Sequence, residues 1–485
     1  VVDREGGGAV RNFINFRCMK HLLLILFVCL SCTHPVFAQD WEPFLEVSSA
    51  SVERLLVDTT SNELIIGGTF IYLNNTEVNG IANVTHDGQV IKLGTGLDNC
   101  INRCYPVRTI AVYKDNYYCG WLNETVNGGT VVNKIARWDG LTWNALQNGF
   151  DYGGSFNGSF VKDDTLIVIG GFGVITESDT AWGIAKWDGG NWHSLNFPNP
   201  NPPVLAQCGA YYKGKIYLGG GFFFPVGNSY ILDIAQYDGV QWSPVGQGIF
   251  GGAWHGINDM VVYKDKLYVA GLFRKIDGNL GNKIMTWDGE NWGEVGGGLC
   301  DDFATIHQML VHDDKLYVMG IFNCAGTGLP VSNIAVWDGS RWCSCGRSVF
   351  DNRVFDMVFW GDTLLVGGGF TKVNDQNMVR LVRWVGDHSK DTCTTAISDI
   401  PVIYKGQGPI TINPQPSKGL ISVKHPGWTH HGWQVITSTG QIIKSSGSPG
   451  EEETDINLTD LVSGVYFLQL KLPDRLWMGK ILVSQ

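Results

Sequence analysis

Charge is scarce in this sequence. Only 17% of the 485 residues are Asp, Glu, Lys or Arg, and 46 acidic residues outnumber 35 basic ones for a formal net charge of −11. No basic run occurs. Nucleic acid and anionic membrane surfaces are therefore excluded as the main partner, because both are held by clustered positive charge. Long apolar runs are lacking as well: the single stretch, residues 22–30, is far short of the roughly 20 residues that span a bilayer. Gly-x-Ser-x-Gly, His-Glu-x-x-His, paired-cysteine zinc spacings and calcium loops of alternating Asp around a central Gly are missing. Neither a catalytic residue nor a metal nor a cofactor is expected, and Asp301-Asp302 and Asp313-Asp314 read as solvated turns.

The apolar stretch follows Met19-Lys20 and precedes Pro35-Val36-Phe37-Ala38. A positive start, an apolar middle and a small residue at the end fit a secretory signal over 19–38. The mature chain is then expected to begin at Gln39 and to contain no transmembrane segment, and residues 1–18 read as an over-extended reading frame.

Glycine and tryptophan are abundant, with 63 and 18 copies, which favours many short strands and turns in a chain that must bury a large core. A tripeptide returns at intervals near 50: Trp138-Asp139-Gly140, Trp187-Asp188-Gly189, Tyr237-Asp238-Gly239, Trp287-Asp288-Gly289 and Trp337-Asp338-Gly339. Weaker copies lie at His86-Asp87-Gly88 and Trp384-Val385-Gly386. A second Trp follows each full copy (143, 192, 242, 292, 342), and an apolar segment ending in glycine precedes each copy. Such a period marks a propeller or a solenoid. Each unit resolves into four short strands, with the Asp-Gly step as a tight hairpin because glycine accepts positive φ; the repeated aspartates are read as turn residues. The seventh unit lacks its fourth strand, and Trp41-Glu42-Pro43-Phe44 matches the missing segment. All-β architecture is expected, with a seven-bladed β-propeller over 39–390 whose last blade is closed by the strand 41–45, leaving no free sheet edge.

Glycine doublets followed by an aromatic residue, and tryptophans at blade spacing, resemble the kelch-type propellers of the galactose-oxidase-like superfamily. The form Asn333-Ile334-Ala335-Val336-Trp337-Asp338-Gly339 with Trp342 is more similar to extracellular repeat proteins than to intracellular adaptors. The resemblance implies architecture and little about activity.

After a polar linker, 391–408, a different pattern of alternating strands fills 409–485 as a small β-sandwich. Pro414, Pro416 and Gly419, then Gly440, then Gly464 with Tyr466 resemble in order and spacing the C-terminal sorting domain of cargo exported by the type IX secretion system, with Gln415 where the motif has Asn. The resemblance implies passage through the periplasm to the outside of the cell, with the translocon and sortase of that system as partners.

Cys119, Cys208 and Cys345 fall at apolar positions of the repeat and read as small buried residues. Cys300 with Cys324 and Cys100 with Cys104 are candidate disulfides in loops of an exported protein. Aligning the first strands of the units places Glu53, Arg108, Asn157, Gln207, Asn258, His307 and Phe355 at one position near the mouth of a central channel, and the loops there add Trp254, His255, Asp301, Asp302 and Phe303. Six polar residues at one repeated position suit water or a ligand. The favoured function is a secreted or cell-surface binding scaffold whose ligand is a glycan or a surface protein. The alternative is an extracellular carbohydrate-active hydrolase or lyase with its site in the funnel.

Overall fold

The computed structural model describes residues 40–386, apart from 49, 98–106, 121–124, 127–128, 199–204, 251–255, 301–303 and 346–347, together with 411–413, 418–424, 432–437, 442–446, 453–471 and 476–483. Two compact units divide between Thr394 and Thr395. Strands dominate both, and among the described residues the one helical element is a three-residue 3-10 turn, Lys275–Asp277.

Seven four-stranded antiparallel sheets make up the first unit, and each is numbered here by the order of its first strand: Val52–Asp58, Thr109–Tyr113, Tyr152–Lys162, Leu205–Tyr212, Ile257–Tyr263, Thr305–His312 and Val354–Trp360. Within sheets one to six the strands follow chain order, so neighbouring strands are joined as hairpins. The hairpin between the last two strands is built by the repeated aspartate. Asp139, Asp188, Asp238, Asp288 and Asp338 each accept at Oδ1 the N–H groups two and three residues ahead, at 2.7–3.0 Å. The following glycine takes positive φ, as at Gly289 (108°). The tryptophans flanking the turn then face each other across the ladder, Trp287 opposite Trp292 and Trp337 opposite Trp342.

Sheet seven takes its fourth strand from the other end of the chain. Trp41–Pro43 pairs antiparallel with Leu381–Trp384, Trp41 opposite Trp384, and Trp41 is fully buried. Its strand stops at Pro43, two residues before the expected end, although the Phe44 N–H still reaches the Leu381 carbonyl at 3.1 Å.

Each first strand packs against the first strand of the next sheet, and that of sheet seven packs against that of sheet one. Polar ties repeat at each junction. Tyr113, Tyr212 and Tyr263 donate from their hydroxyls to the carbonyls of Asp164, Asp265 and Asp314, in the first turn of the following sheet. Trp360 Nε1–H makes the same tie from sheet seven to the Asn62 carbonyl of sheet one at 3.2 Å. In the opposite direction the indoles of Trp143, Trp242 and Trp342 donate to the carbonyls of Leu93, Leu195 and Val295 at 2.8–3.0 Å. Trp41 does likewise through Ser348, whose hydroxyl accepts from the indole and donates to the Cys345 carbonyl. Between the sheets lie clusters of buried side chains such as Ile65, Ile81, Val107, Ile110 and Trp138, each contributing about 1.5–3 kcal/mol of burial. Cys119, Cys208 and Cys345 are buried and outside any disulfide. A disulfide joins Cys300 to Cys324 across 5.7 Å between Cα atoms, and Cys343, unassigned from sequence, is also disulfide-bonded. Cys100 and Cys104 lie outside the described residues.

The second unit has a three-stranded sheet (Thr411–Asn413, Leu420–Lys424, Glu453–Asn457) and a four-stranded one (Ile442–Ser446, Trp433–Thr437, Gly464–Lys471, Leu476–Val483). Side chains of both meet in one core that includes Ile421, Val423, Ile456, Leu468 and Ile481. Gly419 has φ 107° and a Cβ there would lie 2.7 Å from Thr459, so this motif glycine is needed for its turn. Tyr466 is buried and donates to the Val462 carbonyl at 2.9 Å. Pro414, Pro416 and Gly440 lie outside the described residues.

Candidate functional site

In six of the seven sheets a glycine of the second strand shapes the start of the first. A Cβ at Gly68, Gly170, Gly220, Gly271, Gly320 or Gly368 would stand 1.7–2.4 Å from a backbone carbonyl oxygen of the first strand or the residue just before it, that of Ser51, Ser155, Leu205, Gly256, Thr305 and Arg353 respectively. That close approach accommodates a β-bulge. The register shifts between Val52 and Arg54, Phe156 and Gly158, Ala206 and Cys208, Ile257 and Asp259, Ile306 and Gln308, and Val354 and Asp356. The extra residues are Glu53, Asn157, Gln207, Asn258, His307 and Phe355, six of the seven aligned from sequence. Arg108, the seventh, immediately precedes its strand. A bulge leaves a residue out of the ladder and re-aims its side chain.

Part of this polar set is spent on holding the sheets together. Asn157 Nδ2 donates to the Ala206 carbonyl at 2.7 Å, and Asn258 Nδ2 to the Ile306 carbonyl at 2.8 Å and to the Thr305 hydroxyl at 3.1 Å. Glu53 accepts the Ser51 hydroxyl at 2.6 Å and has the Arg108 Nε at 3.9 Å. His307 differs: its Nε2 is buried and has no hydrogen-bond partner, and burial, with the nearby charge of Arg353 second, holds its pKa below the usual imidazole range.

One residue further on lies a set that the sequence reading missed: Arg54, Thr109, Gly158, Cys208, Asp259, Gln308 and Asp356. Asp259 accepts the N–H of Met260 at Oδ1 (2.8 Å) and that of Met309 in the next sheet at Oδ2 (2.6 Å). Gln308 Oε1 takes the Met357 N–H at 2.8 Å. Asp356, fully buried, takes the Leu55 N–H of sheet one at 2.6 Å, with the Arg54 Nε 3.4 Å from the same oxygen. The bulges break the ladder at these positions, and side chains from the preceding sheet take up N–H groups there. Burial pushes the Asp259 carboxyl up to about 7 against the pull of the two N–H groups; burial also raises Asp356, against the pull of Arg54. Two acids and an arginine inside otherwise apolar strands were the available signal.

Sheets three and four extend their second and third strands beyond the common length, as Thr165–Ile175 with Thr180–Trp187 and Lys215–Val226 with Ser229–Tyr237. These ribbons rise from the end at which the first strands begin, since Tyr152 pairs with Gly173 and Leu205 with Gly221. They carry two stacked aromatic pairs: Tyr152 with Trp182 (5.4 Å) and Phe223 with Tyr230 (5.2 Å, 8° between planes). Phe223 is 62% and Tyr230 57% exposed. Trp254, His255, Asp301, Asp302 and Phe303 lie outside the described residues. On sheets six and seven, His312, Asp313 and Asp362 place one ligand atom each within 4.8 Å of one another, with both aspartates exposed.

Residues 411–484 match the model of the secretion system C-terminal sorting domain. That domain directs export by type IX secretion to the cell surface or extracellular space and implies interaction with its machinery. Among the described residues no helix is long and apolar enough to cross a membrane. No curated protein matches the chain. Among solved structures it is similar to the computationally designed Ika8 protein (9% identity, 90% of this chain and 99% of that one, TM-score 0.39). It is similar also to the extracellular domain of a hybrid two-component system of B. thetaiotaomicron (10%, 92% and 59%, 0.45) and to a PL25 ulvan lyase (10%, 70% and 95%, 0.36). With TM-scores below 0.5, none of these similarities bears on what this chain binds or does.

Proposed function

We propose that residues 41–384 form a closed seven-bladed propeller of the kelch-like kind and that the protein is a binding scaffold, carried outside the cell by its sorting domain, with a glycan held where the first strands begin. The observation that carries this reading is the bulge repeated in six inner strands, which lifts a polar or aromatic side chain out of the ladder at the same height around one end of the ring. The stacked aromatic pairs on the neighbouring ribbons supply flat apolar faces of the kind that sugar rings pack on. A carbohydrate-active hydrolase or lyase is the second reading, favoured by the two buried acids Asp259 and Asp356, the latter 3.4 Å from Arg54. Against it, both oxygens of Asp259 and of Asp356 already accept a backbone N–H, so neither is poised as a general base.

A glycan array probed with the secreted protein tests the proposal. The triple variant Trp254→Ala, Asn258→Ala, His307→Ala is expected to weaken the best ligand at least tenfold, about 1.4 kcal/mol. Unchanged affinity would move the site elsewhere, and turnover of the bound glycan would favour the enzymatic reading.

A further inference from the structure

The turns that join first and second strands recur from sheet to sheet and can be compared position by position. Those of sheets two to seven pass through two residues each: Lys114-Asp115, Asp163-Asp164, Lys213-Gly214, Lys264-Asp265, Asp313-Asp314 and Gly361-Asp362. At three junctions the first residue of one turn pairs with the second residue of the next, as lysine and aspartate: Lys114 with Asp164 (2.8 Å), Lys213 with Asp265 (3.6 Å) and Lys264 with Asp314 (3.0 Å). Where sheet three has Asp163 in place of the lysine, the corresponding residue of sheet four is Gly214, which brings no second charge. The junction of sheets six and seven departs from both patterns: Asp313 stands in place of the lysine and Asp362 is still opposite it, within 4.8 Å.

We propose that His312, Asp313 and Asp362 bind a divalent cation of the zinc class, which takes the place of the lysine and ties sheet six to sheet seven. Among the described residues no lysine or arginine pairs with either aspartate, so two carboxylates face each other with the counter-charge of the lysine junctions removed. The histidine is the second observation. Its position belongs to Tyr113, Tyr212 and Tyr263 at the lysine junctions, where the hydroxyl donates to a carbonyl of the following turn. His312 makes no such bond with a described residue. Its ring lies flat on Phe359 of sheet seven, with 3.7 Å between centroids and 6° between planes. That stacking holds the imidazole with Nε2 3.7 Å from Asp313 Oδ2, too far for a hydrogen bond. One imidazole nitrogen and one oxygen from each carboxylate all lie within 4.8 Å of one another. Zinc holds such ligands at about 2.0–2.2 Å, hence no more than about 4.4 Å apart, and the exposed aspartate side chains can turn to close the difference. An imidazole in the set selects against calcium and magnesium, which take oxygen ligands. In sequence Asp313 stands beside Asp314 and the two read as a solvated turn; the fold gives Asp314 to Lys264 and sets Asp313 against an aspartate of the next sheet.

The test uses the full-length protein, stripped of metal with EDTA and dialysed, and Zn²⁺ as the probe. Calorimetric titration is expected to show Zn²⁺ binding, and Zn²⁺ should raise the melting temperature, because an ion held by the folded state alone stabilises it. His312→Ala, Asp313→Asn and Asp362→Asn should each weaken that binding at least tenfold. The two aspartates are exposed, so their variants keep the test open should the histidine variant fail to fold. Asp313→Lys rebuilds the lysine and aspartate pair of the other junctions, and its melting temperature should no longer respond to Zn²⁺. Binding that is unchanged in Asp313→Lys and Asp362→Asn would put the ion on other histidines and overturn the proposal. Failure of the parent to bind Zn²⁺ would overturn it as well, and an equal response to Mg²⁺ or Ca²⁺ would overturn the assignment to the zinc class.

Discussion

Asp259 joins two sheets through one carboxyl group, and its protonation is therefore tied to folding. Its pKa in the folded protein is about 7, above that of a carboxyl in an unfolded chain, so between these values the folded state holds a proton that the unfolded state does not. The contribution is fully present at low pH and is lost as pH rises through about 7. Asp259→Asn keeps a side-chain acceptor and no longer titrates, so its thermal midpoint should fall less than the parent's between pH 5 and 8. Parallel curves for the two proteins would show that Asp259 does not carry this dependence. Gly320 poses the other residue-scale constraint. A methyl group there would meet the Thr305 carbonyl oxygen at 2.0 Å, backbone that cannot swing aside, and Gly320→Ala should cost about 1–3 kcal/mol, as overpacking does. Urea unfolding measures it, and a loss below half a kilocalorie would mean that the bulge can relax.

At the scale of elements, the three-residue strand Trp41–Pro43 does more than its length suggests. Trp41 packs edge-on against Trp384 at 4.9 Å and Phe350 at 5.6 Å, and its indole reaches Ser348. Removing it leaves a large cavity at the junction of sheets six and seven. Trp41→Ala should cost about 3–5 kcal/mol, and deletion of residues 39–47 should lower the melting temperature further by exposing the edge of Leu381–Trp384. A melting curve unchanged by the deletion would show that the last sheet is stable with three strands. The extended ribbons of sheets three and four are elements of another kind: they go beyond the repeat, and Tyr152, Phe223 and Tyr230 on them are each more than half exposed.

For the whole molecule, the sorting domain makes the C-terminal unit separable in function from the sheets before it. Secreted material is expected to lack most of residues 409–485, and a chain ending after Ser398 should remain in the periplasm. Intact-mass measurement and cell fractionation decide both points. Retention of Gln485 in the medium would argue against processing, and normal secretion of the shortened chain would argue against the address itself.

Local pattern sufficed for much of this protein. The repeat interval, the four strands per unit, the aspartate turn, the N-terminal segment that completes the last sheet and the C-terminal sorting motif are written in short stretches of residues, because hairpin chemistry and strand alternation act over a few positions. The polar positions at the strand starts were also visible, since alignment of repeats finds equivalent positions without knowing their geometry. What each of these residues does was decided only by tertiary structure. One extra residue in a strand re-aims its side chain and changes the register of those that follow, and this bulge exists because a glycine on the partner strand lets two backbones approach. Hence Asn157 and Asn258 hold adjacent sheets, and Asp259, Gln308 and Asp356 cap N–H groups one sheet away, the last of them joining sheet seven to Leu55 of sheet one, 301 positions apart in sequence.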